Sequence, residues 1–158
     1  GERVRLFGLP RAFAGRGALA AIARSLTLAA ETPVDPRLPR HARAVLIGDF
    51  LEPLPEIERH LALLAGQGVR GRLLQVLDPA EETLPFRGRV TFEGVGFAEE
   101  TLVPRVETVR ALYAERLAAH REGLATLAAA AGFTLSTHRT DAPPETALLA
   151  LWQGLAPG

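Results

Sequence analysis

Hydrophobic positions recur along this chain with two different periods. Two short runs, Arg43–Ile47 ("RAVLI") and Arg72–Leu77 ("RLLQVL"), are largely apolar at consecutive positions, which is typical of strands covered on both faces of a parallel sheet. Arg3–Leu9 ("RVRLFGL") alternates apolar and basic residues, as a strand near a sheet edge does. Residues 89–93 ("RVTFE") alternate similarly, and residues 133–137 ("FTLST") predict a further short strand.

Apolar residues spaced three and four apart predict four helices between these strands. Their expected ranges are 17–31, 55–66, 101–131 and 143–155. Glycines are expected to end the second and third helices, at Gly66 or Gly68 and at Gly132. Pro104 is expected in the first turn of the third helix, and Asp141 is expected to cap the last one.

Strand and helix therefore alternate four times, which predicts an α/β fold of three layers around a mostly parallel, Rossmann-like sheet. The length of 158 residues fits one domain, which we expect to span residues 1–158. In sheets of this kind, ligands bind beyond the carboxyl ends of the strands. Asp49 and Asp78 each follow one of the two buried strands, so both are candidates for a site at that edge.

Composition narrows the classes of function. Lysine and arginine together number 18, and so do aspartate and glutamate, so bulk charge indicates neither nucleic acid nor an anionic membrane as a partner. Cysteine is absent, which excludes a disulfide framework and a thiol nucleophile and suits a cytoplasmic protein. No apolar run reaches the roughly 18 residues of a membrane span. A chain that opens on "GERVRLF", without methionine, is expected to be part of a longer protein.

A glycine-rich segment is the nearest approach to a cofactor motif. Gly15–Ala20 ("GRGALA") fits G-x-G-x-x-A, and Asp35 lies twenty residues beyond Gly15, as in a dinucleotide-binding fingerprint. The fingerprint requires its first glycine directly after the strand, but "PRAFA" intervenes, and Asp35 lies among prolines instead of ending a second strand. We therefore interpret the segment as a loop that lets a helix begin close to the sheet.

Nucleophilic and histidine-based chemistry finds little support. Ser25 lies within a helical pattern and Ser136 within a strand, and neither belongs to a G-x-S-x-G elbow. The histidines do not show the spacing of metal ligands, and surface or capping positions are expected for all of them. They are His41, His60, His120 and His138.

The acidic residues at the strand ends allow two interpretations. Asp49 and Asp78 could share a divalent cation if their strands are adjacent, because hard cations bind carboxylate oxygens. Alternatively, Asp49 and Glu52 stabilise the amino end of the following helix, and Asp78 begins a turn at the "DP" pair.

Several segments together resemble a known family. They are "VLIGDFLEPL", "LLQVLDPAEETLPFRGRVTFE", "ALYAERLAAHREGLATLAAAAGF" and "STHRTDAPPETALLALW". Their order and spacing are similar to those in the carboxyl-terminal half of the bacterial family once numbered fifty-eight among domains of unknown function. Members of that family resemble von Willebrand factor A domains and are typically encoded beside MoxR-type AAA+ ATPases. The resemblance covers nearly the whole chain.

The resemblance implies a role for Asp49. A domains hold a divalent cation through a D-x-S-x-S loop after their first strand, a threonine from a second loop and an aspartate that ends the fourth strand. Asp49 in "LIGDF" corresponds to that aspartate, the D-x-S-x-S loop would precede Gly1, and "AGRGAL" in the second-loop region has no serine or threonine. Asp49 is thus expected to be a single remnant ligand, with no cofactor held by this chain and Mg²⁺ possible in a longer parent protein.

The resemblance also implies that the first strand is missing from this partial A-like domain. That strand would lie between Arg3–Leu9 and Arg43–Ile47, so its absence would leave an open apolar edge. We therefore expect a homodimer or strand exchange, which sedimentation would detect.

The resemblance and the incomplete catalytic sets together predict a function. We expect a non-enzymatic, cytoplasmic protein-interaction module that acts with a MoxR-type AAA+ ATPase in the assembly or maturation of other proteins. The alternative is a metal-dependent phosphohydrolase or nucleotide-binding enzyme that uses Asp49 and Asp78 at the carboxyl edge of the sheet.

Overall fold

The computed structural model describes residues 3–6, 12–15, 17–28, 38–39, 41–93 and 100–155. The chain divides into two compact units, Gly1–Pro39 and Arg40–Gly158. The expectation of a single A-like domain over residues 1–158 stays a prediction. None of the described helices is both long enough and apolar enough to cross a membrane.

The first unit contains a small hairpin and one helix. Strand β1 (Val4–Arg5) pairs antiparallel with β2 (Ala12–Phe13), and helix α1 (Ala18–Leu28) follows. The helix predicted from residue 17 is therefore confirmed. The strand predicted over Arg3–Leu9 was expected near a sheet edge, with a missing first strand between it and Arg43–Ile47. Its described strand residues instead pair with β2 in a separate two-stranded sheet, and closing the short loop between them costs little entropy. Residues 7–9 lie outside the described part.

The second unit has the predicted alternation of strands and helices. Its elements are β3 (Arg43–Gly48), α2 (Leu54–Gly66), β4 (Arg70–Leu77), α3 (Pro79–Thr83), β5 (Val90–Glu93), β6 (Glu100–Val103), a 3₁₀ turn (Val106–Thr108), α4 (Arg110–Ala130), β7 (Phe133–Arg139) and α5 (Pro144–Leu155). Strands β3, β4 and β7 form a parallel sheet in that spatial order. The α/β fold with a parallel sheet is thus confirmed.

The third predicted helix begins later than expected. Glu100–Val103 is strand β6, which pairs antiparallel with β5 in a separate two-stranded sheet, and α4 starts only at Arg110. Pro104 disfavours the helical conformation for Val103, so it ends a strand here and does not start a helix. The predicted end of this helix is correct, because Gly132 follows it with φ of 77°.

Helices cover the parallel sheet on both of its faces. Along β4, side chains alternate between the faces, with Leu73, Gln75 and Leu77 on one and Arg72, Leu74 and Val76 on the other. Helices α2 and α4 pack on each other, α4 also packs on β7, and the two helices supply Leu64 and Leu124 to the core. Helix α5 packs on β7, and on the second face of β4 its Gly154 lies directly against the Arg72 guanidinium. Leu64, Leu73 and Leu124 are completely buried, and each contributes about 1.5–3 kcal/mol through burial.

Candidate functional site

The loop after β3 is held by side chains from two other elements. Asp49 is exposed, and the Leu51 N–H donates to its Oδ1 over 3.3 Å. Phe50 has the left-handed φ of 52°, which a large side chain rarely adopts. The Gln75 side-chain amide donates to the Asp49 carbonyl over 2.9 Å, and His120 Nε2 lies 2.7 Å from the Phe50 carbonyl. Because a carbonyl only accepts, His120 Nε2 must carry a proton.

Gln75 is the polar residue that connects this loop to the sheet. It lies in the central strand β4 and its side chain is fully buried. Its Nε2 is satisfied by Asp49, whereas no group in the described part of the chain donates to its Oε1. An unpaired buried amide oxygen costs about 1–3 kcal/mol, so Gln75 is kept at a cost to stability. The sequence signal is one glutamine inside the apolar run "RLLQVL".

The loop after β4 is a helix start. Asp78 caps α3: its Oδ1 accepts from the Ala80 N–H over 2.8 Å, and Glu81 completes the capping box by accepting from the Asp78 N–H. The Thr140 hydroxyl donates to the other carboxylate oxygen over 2.7 Å. The Ala80 N–H, and then the Thr140 hydroxyl, lower the pKa of Asp78 below its usual value of 3.8. The interpretation of Asp78 as a turn start is therefore confirmed.

Charged side chains next to this loop form a small network. Glu82 accepts from Arg121 at 3.0 Å and lies 3.5 Å from Arg139, which also pairs with Asp141 at 3.1 Å. Asp141, predicted as the cap of the last helix, thus binds an arginine side chain just before α5. The pairs are partly exposed, so each contributes at most about 1 kcal/mol. The network joins α3, α4 and the end of β7 at the carboxyl edge of the sheet.

The two candidate carboxylates follow neighbouring strands, and that of Asp78 is engaged on both of its oxygens. Strands β3 and β4 are adjacent and parallel, with Gly48 opposite Gln75. If this register continues, Asp49 lies opposite Val76, two residues before Asp78, which separates the α-carbons by about 8 Å. Both Asp78 oxygens accept hydrogen bonds from protein groups. Among the described residues, no three acidic or histidine side chains are grouped to hold a metal ion, and Asp49 as a remnant ligand stays a prediction.

The two serines considered as nucleophiles form hydrogen bonds with backbone carbonyls, and the glycine-rich segment precedes a helix. The Ser25 hydroxyl donates to the Ala21 carbonyl within α1 over 2.9 Å, and the Ser136 hydroxyl donates to the Leu73 carbonyl over 3.3 Å. Gly15 has φ of 75° just before α1, which agrees with a loop that begins a helix. Asp35 lies outside the described residues.

Replacing Asp78 with asparagine should lower the melting temperature at pH 7 by roughly 2 °C. Hydrogen bonds that lower the folded pKa stabilise the protein above the unfolded pKa near 3.8, and this stabilisation is lost as the pH falls through the folded pKa. The melting temperatures of the variant and the parent chain should therefore converge only as the pH falls below 3.8 and through the lowered folded pKa. A difference that does not shrink as the pH falls below 3.8 would contradict the assignment, and Thr140→Val isolates the contribution of the hydroxyl.

Comparison with known proteins gives one positive finding. A family model described as "Protein of unknown function DUF58" matches residues 18–123, well over half of the chain. The match includes β3, β4 and the loops that carry Asp49 and Asp78. No curated protein and no solved structure matches the chain.

Proposed function

This chain belongs to the family described as protein of unknown function DUF58, and on that premise we propose that it is a non-enzymatic protein-interaction module. It acts in the cytoplasm with a MoxR-type AAA+ ATPase in the assembly or maturation of other proteins. A second copy of this chain is its other protein partner. The support for the ATPase is the resemblance of the chain to a family encoded beside such enzymes.

The observation that supports the non-enzymatic part of this proposal is that the candidate catalytic groups form hydrogen bonds within the protein itself. The Asp78 carboxylate caps α3 and accepts from Thr140, and the hydroxyls of Ser25 and Ser136 bind backbone carbonyls. His120 is bound to the backbone of the Asp49 loop. A catalytic group must reach a substrate, but these groups hold their own fold together.

The loop at residues 49–53 is the surface we assign to the ATPase. It presents the exposed Leu51 between two acidic residues, Asp49 and Glu52. Bonds from Gln75 and His120 fix its backbone in one conformation. A loop that is already ordered loses little conformational entropy when a partner binds, so even a small apolar contact contributes to affinity. The partner surface should be basic with an apolar pocket.

Co-purification tests this proposal. The parent protein and the MoxR-type ATPase encoded beside it should purify together in at least one nucleotide state, with ATP, ADP or a non-hydrolysable analogue. Leu51→Arg should reduce the recovered ATPase, whereas Leu63→Arg, on the exposed side of α2, should not. Absence of the complex in every nucleotide state would refute the partnership. Equal loss with both variants would refute the assignment of the loop.

The kinship with von Willebrand factor A domains is part of the same proposal. It is supported by β3, a parallel strand that ends one residue before Asp49. On this view the chain is a partial A-like domain whose first strand and D-x-S-x-S loop belong to the parent protein, and Mg²⁺ binds only there. The residues that precede Gly1 in the parent test it, since an A domain with a complete metal site must contain that loop.

A further inference from the structure

The backbone of the loop at residues 49–53 is strained at Phe50. This residue has φ of 52°, in the left-handed region that large side chains seldom adopt. Within the loop, the bond from the Leu51 N–H to Asp49 Oδ1 is 3.3 Å long and lies at the surface, so it offsets little of the strain. Strained backbone persists only where the surrounding structure holds it. Groups outside the loop must therefore keep Phe50 in this conformation.

Two side chains from distant parts of the sequence supply the bonds that hold the loop. The Gln75 amide donates to the Asp49 carbonyl over 2.9 Å, and His120 Nε2 donates to the Phe50 carbonyl over 2.7 Å. One such hydrogen bond and one strained residue are of similar energy, so the loss of a single bond shifts the balance toward a relaxed backbone. The observed conformation of the loop therefore depends on both bonds.

The two bonds differ in how easily they are released. Gln75 lies in β4 with its side chain fully buried, so it cannot leave the loop without disturbing the core. His120 lies on α4, and its side chain is only partly buried. Rotation about the side-chain bonds of His120 moves the imidazole toward water, to which its N–H group can donate instead. The His120 bond is thus the one that can open while the core stays packed.

We propose that His120 is a latch for this loop, which exchanges between a closed state with the His120–Phe50 bond and an open state in which Phe50 relaxes to negative φ. The closed state presents Leu51 between Asp49 and Glu52, on the surface that we assign to the ATPase. The inference rests on that assignment for its consequence, which is that affinity for the ATPase falls in proportion to the fraction of closed molecules. The latch itself is tested in this chain alone, without a partner.

Chymotrypsin measures the opening of the loop, because cleavage after Leu51 requires an extended and accessible backbone. At low protease concentration, the initial rate of cleavage follows the population of the open state. His120→Ala removes the latch and should speed cleavage after Leu51 about fivefold, whereas His120→Gln, whose side-chain amide also donates, should stay close to the original rate. Cleavage after Phe133, which is buried in β7, reports global unfolding and should be accelerated far less.

A second pair of variants tests the strain at Phe50. Phe50→Asn and Phe50→Val remove the same aromatic ring, but asparagine adopts positive φ readily, whereas the β-branched valine does not. The valine variant should therefore be cleaved after Leu51 about threefold or more faster than the asparagine variant. Equal rates in the two variants would overturn the proposal, because the open state would then relieve no strain.

The matched control is His60→Ala, at an exposed histidine of α2, which should be cleaved after Leu51 at the rate of the unmodified chain. An unchanged rate in His120→Ala would overturn the proposal. So would equal acceleration after Leu51 and Phe133, which would mean that His120 supports the whole fold. If Leu51→Arg abolishes recovery of the ATPase but His120→Ala leaves cleavage unchanged, the loop binds the ATPase without a latch, so the two proposals fail separately.

Discussion

Replacing Gly71 with alanine is expected to lower the free energy of unfolding by about 2–4 kcal/mol, because the new methyl group has no space. An added β-carbon would lie against the Ala44 carbonyl oxygen and only 2.7 Å from the carbonyl carbon. These are backbone atoms of the neighbouring strand, opposite Gly71 in the register. They cannot move without separating β3 from β4. Denaturant unfolding followed by circular dichroism measures the loss.

The control for this experiment is Gly66→Ala at the end of α2. No atom lies within 4 Å of the position of its added β-carbon, so this variant should be as stable as the parent chain or about 0.5–1 kcal/mol more stable. If Gly71→Ala unfolds within about 0.5 kcal/mol of the parent chain, the close approach of the two strands is wrong.

Replacing Gln75 with glutamate is expected to cost about 3–5 kcal/mol at pH 7. The Gln75 side chain is fully buried, its amide donates to the Asp49 carbonyl, and no described group donates to its oxygen. An ionised glutamate would place an unpaired charge there and would face the Asp49 carbonyl with no proton to donate. The loop that carries Asp49 would lose its connection to the central strand.

The effect of Gln75→Glu should depend on pH in a defined direction. Burial raises the pKa of the introduced carboxyl above its unfolded value of about 4.3. The loss of stability relative to the parent chain should therefore be small below about pH 4.3, increase as the pH rises toward the raised pKa, and stay constant above it. At low pH the protonated carboxyl can donate to the Asp49 carbonyl, as the amide does. Urea unfolding of both proteins from pH 4 to pH 8 measures this dependence.

Gln75→Leu is the matched control, with similar size and no charge. It loses the bond to Asp49 but also removes the unpaired oxygen, so it should unfold within about 1 kcal/mol of the parent chain. The difference between Gln75→Leu and the parent chain should not change with pH. If the glutamate variant behaves like the leucine variant at every pH, position 75 is accessible to water and the buried environment is wrong.

The elements that could be predicted from the sequence are those that local patterns specify. The consecutive apolar residues of β3 and β4 and the helical spacing of α2 identify these elements without knowledge of their neighbours. The end of α4 at Gly132 follows from the conformational freedom of glycine. Strand β6 was missed because its identity depends on pairing with β5, which the spacing of its own residues does not reveal.

In the candidate site, too, some residues could be identified from the sequence and others only from the structure. Asp49 and Asp78 could be found from the sequence because a polar residue at the end of an apolar run is a local feature. Their partners could not. Gln75 lies 26 residues from Asp49, His120 lies 70 residues from Phe50, and Thr140 lies 62 residues from Asp78. Only the folded chain brings these groups within hydrogen-bonding distance.

The sequence alone determined the α/β class, the family, and the position of a carboxylate directly after each of two buried strands, because these depend on residues close together in the chain. Tertiary structure decided what surrounds the carboxylates. Both oxygens of Asp78 accept hydrogen bonds, and the loop that carries Asp49 is held by the bond from the Gln75 side chain to the Asp49 carbonyl. It also decided that Ile47 is exposed whereas Leu74, its register partner in β4, is buried, because burial depends on what packs over each position.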